Sequence, residues 1–167
     1  MTARPPSLFI TIGPPGAGKT TFVSWALVAG HLVSPADVLN PDALLFEGSR
    51  YKWSPERVGQ AWQKVKSDFK SLLSTGRNIA LDATFVRRQD RREFIQAARA
   101  AGYTVIAVYF DVPAELLVER DRMREDAGKR VGVNIIHRFF TSSESPDPAE
   151  GFDEIWRIDQ SGRRCDI

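Results

Sequence analysis

Gly13-Pro14-Pro15-Gly16-Ala17-Gly18-Lys19-Thr20 fills every fixed position of the pattern G-x-x-x-x-G-K-[ST]. Each fixed position has a physical task. Glycines let backbone N–H groups turn inward around phosphate oxygens, where a Cβ would obstruct them. Lys19 sets a positive charge beside the β- and γ-phosphates, and the Thr20 hydroxyl suits a Mg²⁺ ion carried by the nucleotide. The flanks agree with the motif. Leu8-Phe9-Ile10-Thr11-Ile12 is a short apolar run of strand formers, and Thr21 to Ala29 reads as a helix stopped by Gly30. Strand, glycine loop and helix is the order this loop requires. Gly13, Pro15, Gly16, Ala17, Gly18, Lys19, Thr20 and Thr21 are therefore the candidate nucleotide-binding residues.

Outward from the loop, strand and helix patterns alternate. Val38-Leu39 is a candidate second strand ending at Asn40-Pro41. Ser54-Pro55 opens a helix whose apolar residues Val58, Ala61, Trp62, Val65, Phe69, Leu72 and Leu73 recur at three and four, so Trp62 and Phe69 read as packing residues. Asn78 to Leu81 is a buried strand delivering Asp82 at its end. Arg87 to Ala101 is a helix with Phe94, Ile95, Ala98 and Ala101 inward. Tyr103 to Phe110 is the clearest strand, apolar enough to be buried on both faces. Pro113 to about Arg124 and Asn134 to Phe140 are helices, Ser142 to Gly151 a loop, and Phe152 to Ile158 a last strand. This alternation predicts one α/β domain over residues 1–167 with a mostly parallel five-stranded sheet flanked by helices. Ligands of such sheets sit beyond the carboxyl ends of the strands, so Gly13, Asp82 and Asp111 are expected around one crevice.

Composition sets the bounds. The chain has 167 residues and a net charge of +2, too small to imply nucleic acid by itself. A single cysteine, Cys165, excludes an internal disulfide framework and fits a cytoplasmic protein. No apolar run approaches the roughly 20 residues of a membrane span, and none of signal-peptide length precedes the first strand.

Four acidic or basic clusters add chemistry to the loop. Asp42 is either a general base at the rim of the phosphate site or a helix cap. Asp82 is either a strand-end carboxylate, holding Mg²⁺ or its water shell or orienting a neighbouring arginine, or a cap. Arg120 and Arg124, four apart on one helix face, belong either to an arginine-bearing lid over about residues 119–133 or to a solvated helix. The Arg87–Arg92 cluster opens the helix after Asp82. Thr84, Arg87, Arg88 and Arg91, with Asp82, are candidate acceptor contacts; an exposed, unliganded face is the alternative.

With Asn40-Pro41-Asp42, Leu81-Asp82-Ala83-Thr84, Phe110-Asp111-Val112-Pro113, Glu119-Arg120 and Arg124, the chain resembles the kinase domain of phage-type polynucleotide 5′-hydroxyl kinases. The resemblance implies an adenylate-kinase-like P-loop kinase fold with a helical, arginine-bearing lid. It implies ATP and Mg²⁺ as cofactors and transfer of the γ-phosphate to the 5′-OH end of DNA or RNA. Lys19 and Thr20 match the phosphate and Mg²⁺ residues, Asp42 the general base, Asp82 the strand-end acid, and Arg120 and Arg124 the lid arginines. The family carries an arginine three residues after the base, where this chain has Leu45. An apolar pocket around Leu45 and Phe46 would suit a small hydroxylated acceptor such as a metabolite, an antibiotic or a modified base. A nucleotide-dependent regulatory ATPase is a third reading.

Overall fold

The computed structural model describes residues 4–125 and 129–165. Its centre is a six-stranded sheet in the order β2-β5-β1-β6-β7-β8. Strands β1 (Ser7–Ile12), β2 (Val38–Leu39), β5 (Ile79–Leu81), β6 (Thr104–Phe110) and β7 (Glu154–Ile158) run parallel. These are the five strands expected. A sixth, β8 (Arg164–Cys165), returns antiparallel along β7. Asp159 turns the chain for it: its carboxylate accepts from the amides of Ser161 and Arg163.

Alternation along the strands assigns each side chain to one of two layers. In β1, Leu8, Ile10 and Ile12 enter one core while Phe9 enters the other. The first core is covered by α2 (Pro55–Leu73) and α3 (Arg88–Ala100), through Val65, Phe69, Phe94 and Ile95. Trp62, Phe69, Phe85 and Phe94 stack edge to face there, with ring centres 5.1–5.5 Å apart, which is the packing role expected of Trp62 and Phe69. Ala101, expected inward, is exposed because the helix ends one residue earlier. The second core holds Val23, Leu27, Leu117 and Ile136 from the P-loop helix, α4 (Ala114–Arg122) and α5 (Val133–Thr141).

The P-loop helix departs from a regular α-helix. It begins as α1 (Lys19–Phe22) and widens to π-helical geometry over Val23–Val28, with the Ala29 amide bonded to the Ser24 carbonyl. The wide turns keep Val23 and Leu27 on the core before the chain reverses at His31, whose φ is 57°. A small antiparallel ribbon, β3 (Phe46–Glu47) with β4 (Arg50–Tyr51), follows the 3₁₀ turn Asp42–Leu45 and stands apart from the main sheet.

Because β1, β2, β5 and β6 are parallel, their carboxyl ends share one edge of the sheet. That edge carries the P-loop after β1, Asn40 and Asp42 after β2, Asp82 after β5 and Asp111 after β6.

Candidate active site

The loop after β1 is shaped by backbone that only glycine adopts freely. Gly16 has φ 85° and Gly18 has φ 97°, and Gly18 sits immediately before α1. The Gly13 amide is tied to the Thr84 carbonyl at 2.9 Å, which anchors the start of the loop to the chain beyond β5. Thr84 thus meets the P-loop through its backbone. The Lys19 ammonium donates to the Pro14 carbonyl at 2.7 Å, so it lies across the mouth of its own loop. Thr21 is exposed in the first turn of α1.

Asp82 stands opposite. It is 3% exposed, and its Oδ2 accepts from the Thr20 hydroxyl and from the Asn40 amide nitrogen, each at 2.8 Å. Its carboxylate is thus turned to Thr20 and Asn40, not used as a cap. Thr20 and Asp82 present neighbouring hard oxygen donors, the type Mg²⁺ takes when nucleotide phosphates supply other ligands. Among the described residues no group of three or more His, Cys, Asp or Glu could hold a metal by itself. A divalent ion here would therefore be shared with a nucleotide, which these two residues fit.

Asp42 is the first residue of the 3₁₀ turn after β2; the cap position is Pro41, and Asn40 Oδ1 accepts from the Ala43 amide at 3.2 Å. The cap reading of Asp42 falls away. The residue is exposed on the rim of the site. Desolvation there pushes its pKa up, while the charges of Lys19 and Arg124 pull it down. Asp82 is also pushed up by burial, against the opposing pull of Thr20, Lys19 and Asn40. Lys19 is lowered to about 8, first by burial and then by Arg124, despite Asp82 and Asp42. Lys19, Asp42, Asp82 and Arg124 thus act on one another electrostatically.

A consequence follows for nucleotide binding. Below pH 8 Lys19 is charged; above it, the amine must first take up a proton to pair with phosphate. ATP affinity should be flat near pH 7 and weaken about tenfold by pH 9, read by equilibrium binding across that range. A pH-independent affinity would remove Lys19 from phosphate contact.

The lid arginines occupy different places. Arg120 donates to the Gly16 carbonyl at 3.2 Å and to the Gln160 carbonyl at 2.6 Å, so it braces the P-loop against the turn after β7. Arg124 donates to the Lys129 carbonyl and lies 3.8 Å from Asp121. The part of the expected lid at residues 126–128 lies outside the described residues.

Of the arginines expected to contact an acceptor, Arg91 is withdrawn from the surface: it is 0% exposed. Its Nε and Nη2 pair with both oxygens of Glu150 at 2.6 and 2.7 Å, and its remaining donors serve the Phe85 and Glu144 carbonyls. Replacing Arg91 by methionine should cost about 3 kcal/mol in chemical denaturation, because Glu150 would lose its bidentate partner. Nucleotide affinity of the folded fraction should be unchanged. Arg88 lies within 4 Å of Asp147 and Glu150, and Arg87 bonds Asp90 at 3.3 Å; both are exposed. Asp111 pairs with Arg157 on β7.

Sequence reasoning missed Asn40 as a member of the site. An asparagine ahead of a turn was the available signal. It also missed Tyr51, whose hydroxyl is pushed up in pKa by burial and then by the charge of Asp42.

Residues 8–139 match the family AAA_33, described as an AAA domain. The chain belongs to that family. A curated relative of this AAA domain is transcription factor bHLH140 of Arabidopsis thaliana, 27% identical over 151 residues, covering 87% of this chain and 15% of that protein. The Pnkp1/Rnl/Hen1 RNA repair complex contains a similar chain, with TM-score 0.67 and 25% identity over 84% of this chain and 45% of that one. A gluconokinase from Sinorhizobium meliloti 1021 shares the fold at TM-score 0.61 and 15% identity, covering 95% and 85%. The AAA domain described here thus spans 15% of the plant relative and less than half of the repair-complex chain. No helix among its described residues is long and apolar enough to cross a membrane.

Proposed function

We propose that the chain is an ATP-dependent phosphotransferase whose acceptor is a nucleic-acid 5′-hydroxyl, as in the phage-type polynucleotide kinases. The observation that carries the reading is the Thr20–Asp82 pair beside the P-loop lysine, with Asp42 on the same strand-end edge and within electrostatic reach of Lys19 and Arg124. In this reading the acceptor oxygen forms a bond to the γ-phosphorus while the bond to the β,γ-bridging oxygen breaks, leaving ADP. Asp42 takes the hydroxyl proton. Lys19 and Arg124 oppose the charge on the transferring group. Thr20 and Asp82 would hold Mg²⁺, which neutralises phosphate charge when bound.

Leu45 is 2% exposed, so it does not line the apolar pocket that would suit a small acceptor, although it supplies no counterpart of the arginine that the polynucleotide kinases carry there. Next to it, Arg50-Tyr51-Lys52-Trp53 alternates cation and aromatic ring, with Tyr51 against Phe46 at 5.2 Å and Trp53 64% exposed. Such interleaving suits backbone phosphates and stacked bases. Likeness to a chain of an RNA repair complex points the same way.

The test uses γ-labelled ATP with 5′-OH oligodeoxynucleotides, oligoribonucleotides, nucleosides and simple sugars. Label on an oligonucleotide, with acceptor binding that weakens as salt rises, supports the proposal. Transfer to a sugar alone overturns the acceptor, and hydrolysis without transfer overturns the phosphotransferase.

A further inference from the structure

We propose that Asp121 is a positioning residue for the lid, holding Arg124 at the site; the inference rests on the phosphotransfer reading above. Asp121 is the next-to-last residue of α4 and is 4% exposed. Its Oδ1 accepts from the Val131 amide at 3.0 Å and its Oδ2 from the Gly132 amide at 2.9 Å. The lid therefore returns to its own foot after ten residues, and one buried carboxylate closes the neck.

The neck sits between the two lid arginines. On one side Arg120 is committed to the Gly16 and Gln160 carbonyls. On the other, Arg124 is held by side chain and backbone alike. Its guanidinium donates to the Lys129 carbonyl, and its own carbonyl accepts from Arg130 Nε and Nη2 at 3.0 and 2.7 Å. Lys129 in turn rests its ammonium 4.9 Å over the Phe46 ring, on the ribbon that follows Asp42. Residues 131–132, which lead out of this stretch, are docked on α4 by Asp121, with Val131 also packed against the core beside it.

The geometry demands a carboxylate. Two consecutive N–H groups need two acceptor atoms on one rigid plane. Asparagine offers one acceptor and turns an NH₂ toward the second N–H. Asp121→Asn should therefore lower kcat between ~10- and ~100-fold through a displaced Arg124, with ATP affinity held by the P-loop within ~2-fold. Asp121→Glu, which keeps two acceptors on a longer arm, should recover part of kcat. In an Arg124→Met background, Asp121→Asn should add nothing, because its effect passes through Arg124.

The experiment measures kcat and ATP affinity of wild type, Asp121→Asn, Asp121→Glu, Arg124→Met and the Asp121→Asn/Arg124→Met pair, with amide hydrogen exchange on each. Loss of protection at Val131 and Gly132 with protection kept in β6, a fall in kcat, and no further fall in the double variant support the role. Wild-type kcat in Asp121→Asn overturns it, as do multiplying losses in the double variant. So does exchange that rises equally in β6, which would make the effect one of global stability. Wild-type protein that transfers no phosphate overturns the phosphotransfer reading and the role together; failure of the variants alone overturns only the role.

Discussion

Replacing Asp42 by asparagine should lower phosphoryl transfer at least ~10²-fold while nucleotide affinity is largely kept. The substitution preserves the size of the side chain and removes its ability to accept a proton. Asp42 does not cap the local 3₁₀ turn, and the Ala43 amide is held by Asn40, so the backbone around position 42 should stay in place. Binding should hardly change because the phosphate cradle is made by the loop backbone and Lys19. One secondary effect has a definite sign. Asp42 raises the Lys19 pKa, so its neutralisation lets Lys19 lose its proton at a lower pH, and ATP affinity should weaken slightly earlier on the alkaline side. The acid side carries a second signature. Desolvation raises the Asp42 pKa, so the active carboxylate is lost as pH falls through that raised value. The acid limb of the kcat profile should sit above the ordinary carboxylate range in the wild type and vanish in the variant. Single-turnover transfer across pH measures both effects. Near-normal turnover in Asp42→Asn removes Asp42 from the chemistry.

Local order and long-range pairing explain what could be seen from the chain alone. The P-loop is legible because its chemistry lies within eight consecutive residues, between a strand and a helix that also declare themselves locally. The capped helix at Ser54-Pro55 and the strand β6 are legible for the same reason: Ser54 accepts from the Arg57 amide three residues on, and β6 runs through the apolar stretch Val105-Ile106-Ala107-Val108. Asp42 and Asp82 were placed correctly at the strand ends because a parallel sheet leaves few other places for them.

What remained hidden depends on partners distant in sequence. Arg91 reads as one of several arginines opening a helix; its burial is set by Glu150, 59 residues away, and by the Phe85 and Glu144 carbonyls. Asn40 reads as a turn residue until Asp82, 42 residues away, takes its amide. Arg120 reads as a free lid arginine, yet it grips the P-loop 104 residues earlier in the chain. Leu45 misled in another way. The substitution of arginine by leucine is visible, but the direction in which position 45 points is not. In a 3₁₀ turn a change of one residue rotates a side chain by about a third of a turn. That rotation sends Leu45 inward while Leu44 stays exposed.

Replacing Lys19 by methionine should cost the most, about 10³-fold in kcat/KM for ATP, because one group serves ground-state binding and transfer together. Methionine fills the same space beneath the loop and removes only the ammonium. Two consequences separate loss of charge from loss of fold. First, the Lys19 ammonium is what moderates the two carboxylates at the site, lowering the pKa of Asp42 and of Asp82. Without it, desolvation acts with less opposition on both, and the Asp42 charge raises Asp82 further. The acid limb of any residual transfer should therefore move to higher pH, as Asp42 takes its proton more readily. Second, the alkaline weakening of ATP binding should disappear, since the group that loses a proton near pH 8 is gone. Thermal stability should rise or stay level, because a charge held under desolvation has been exchanged for an apolar chain of similar length. A variant that melts early would instead assign the lost activity to the fold. A Lys19→Met protein that melts normally yet keeps the alkaline limb would show that another group titrates there, and the electrostatic account of the site would have to be rebuilt around it.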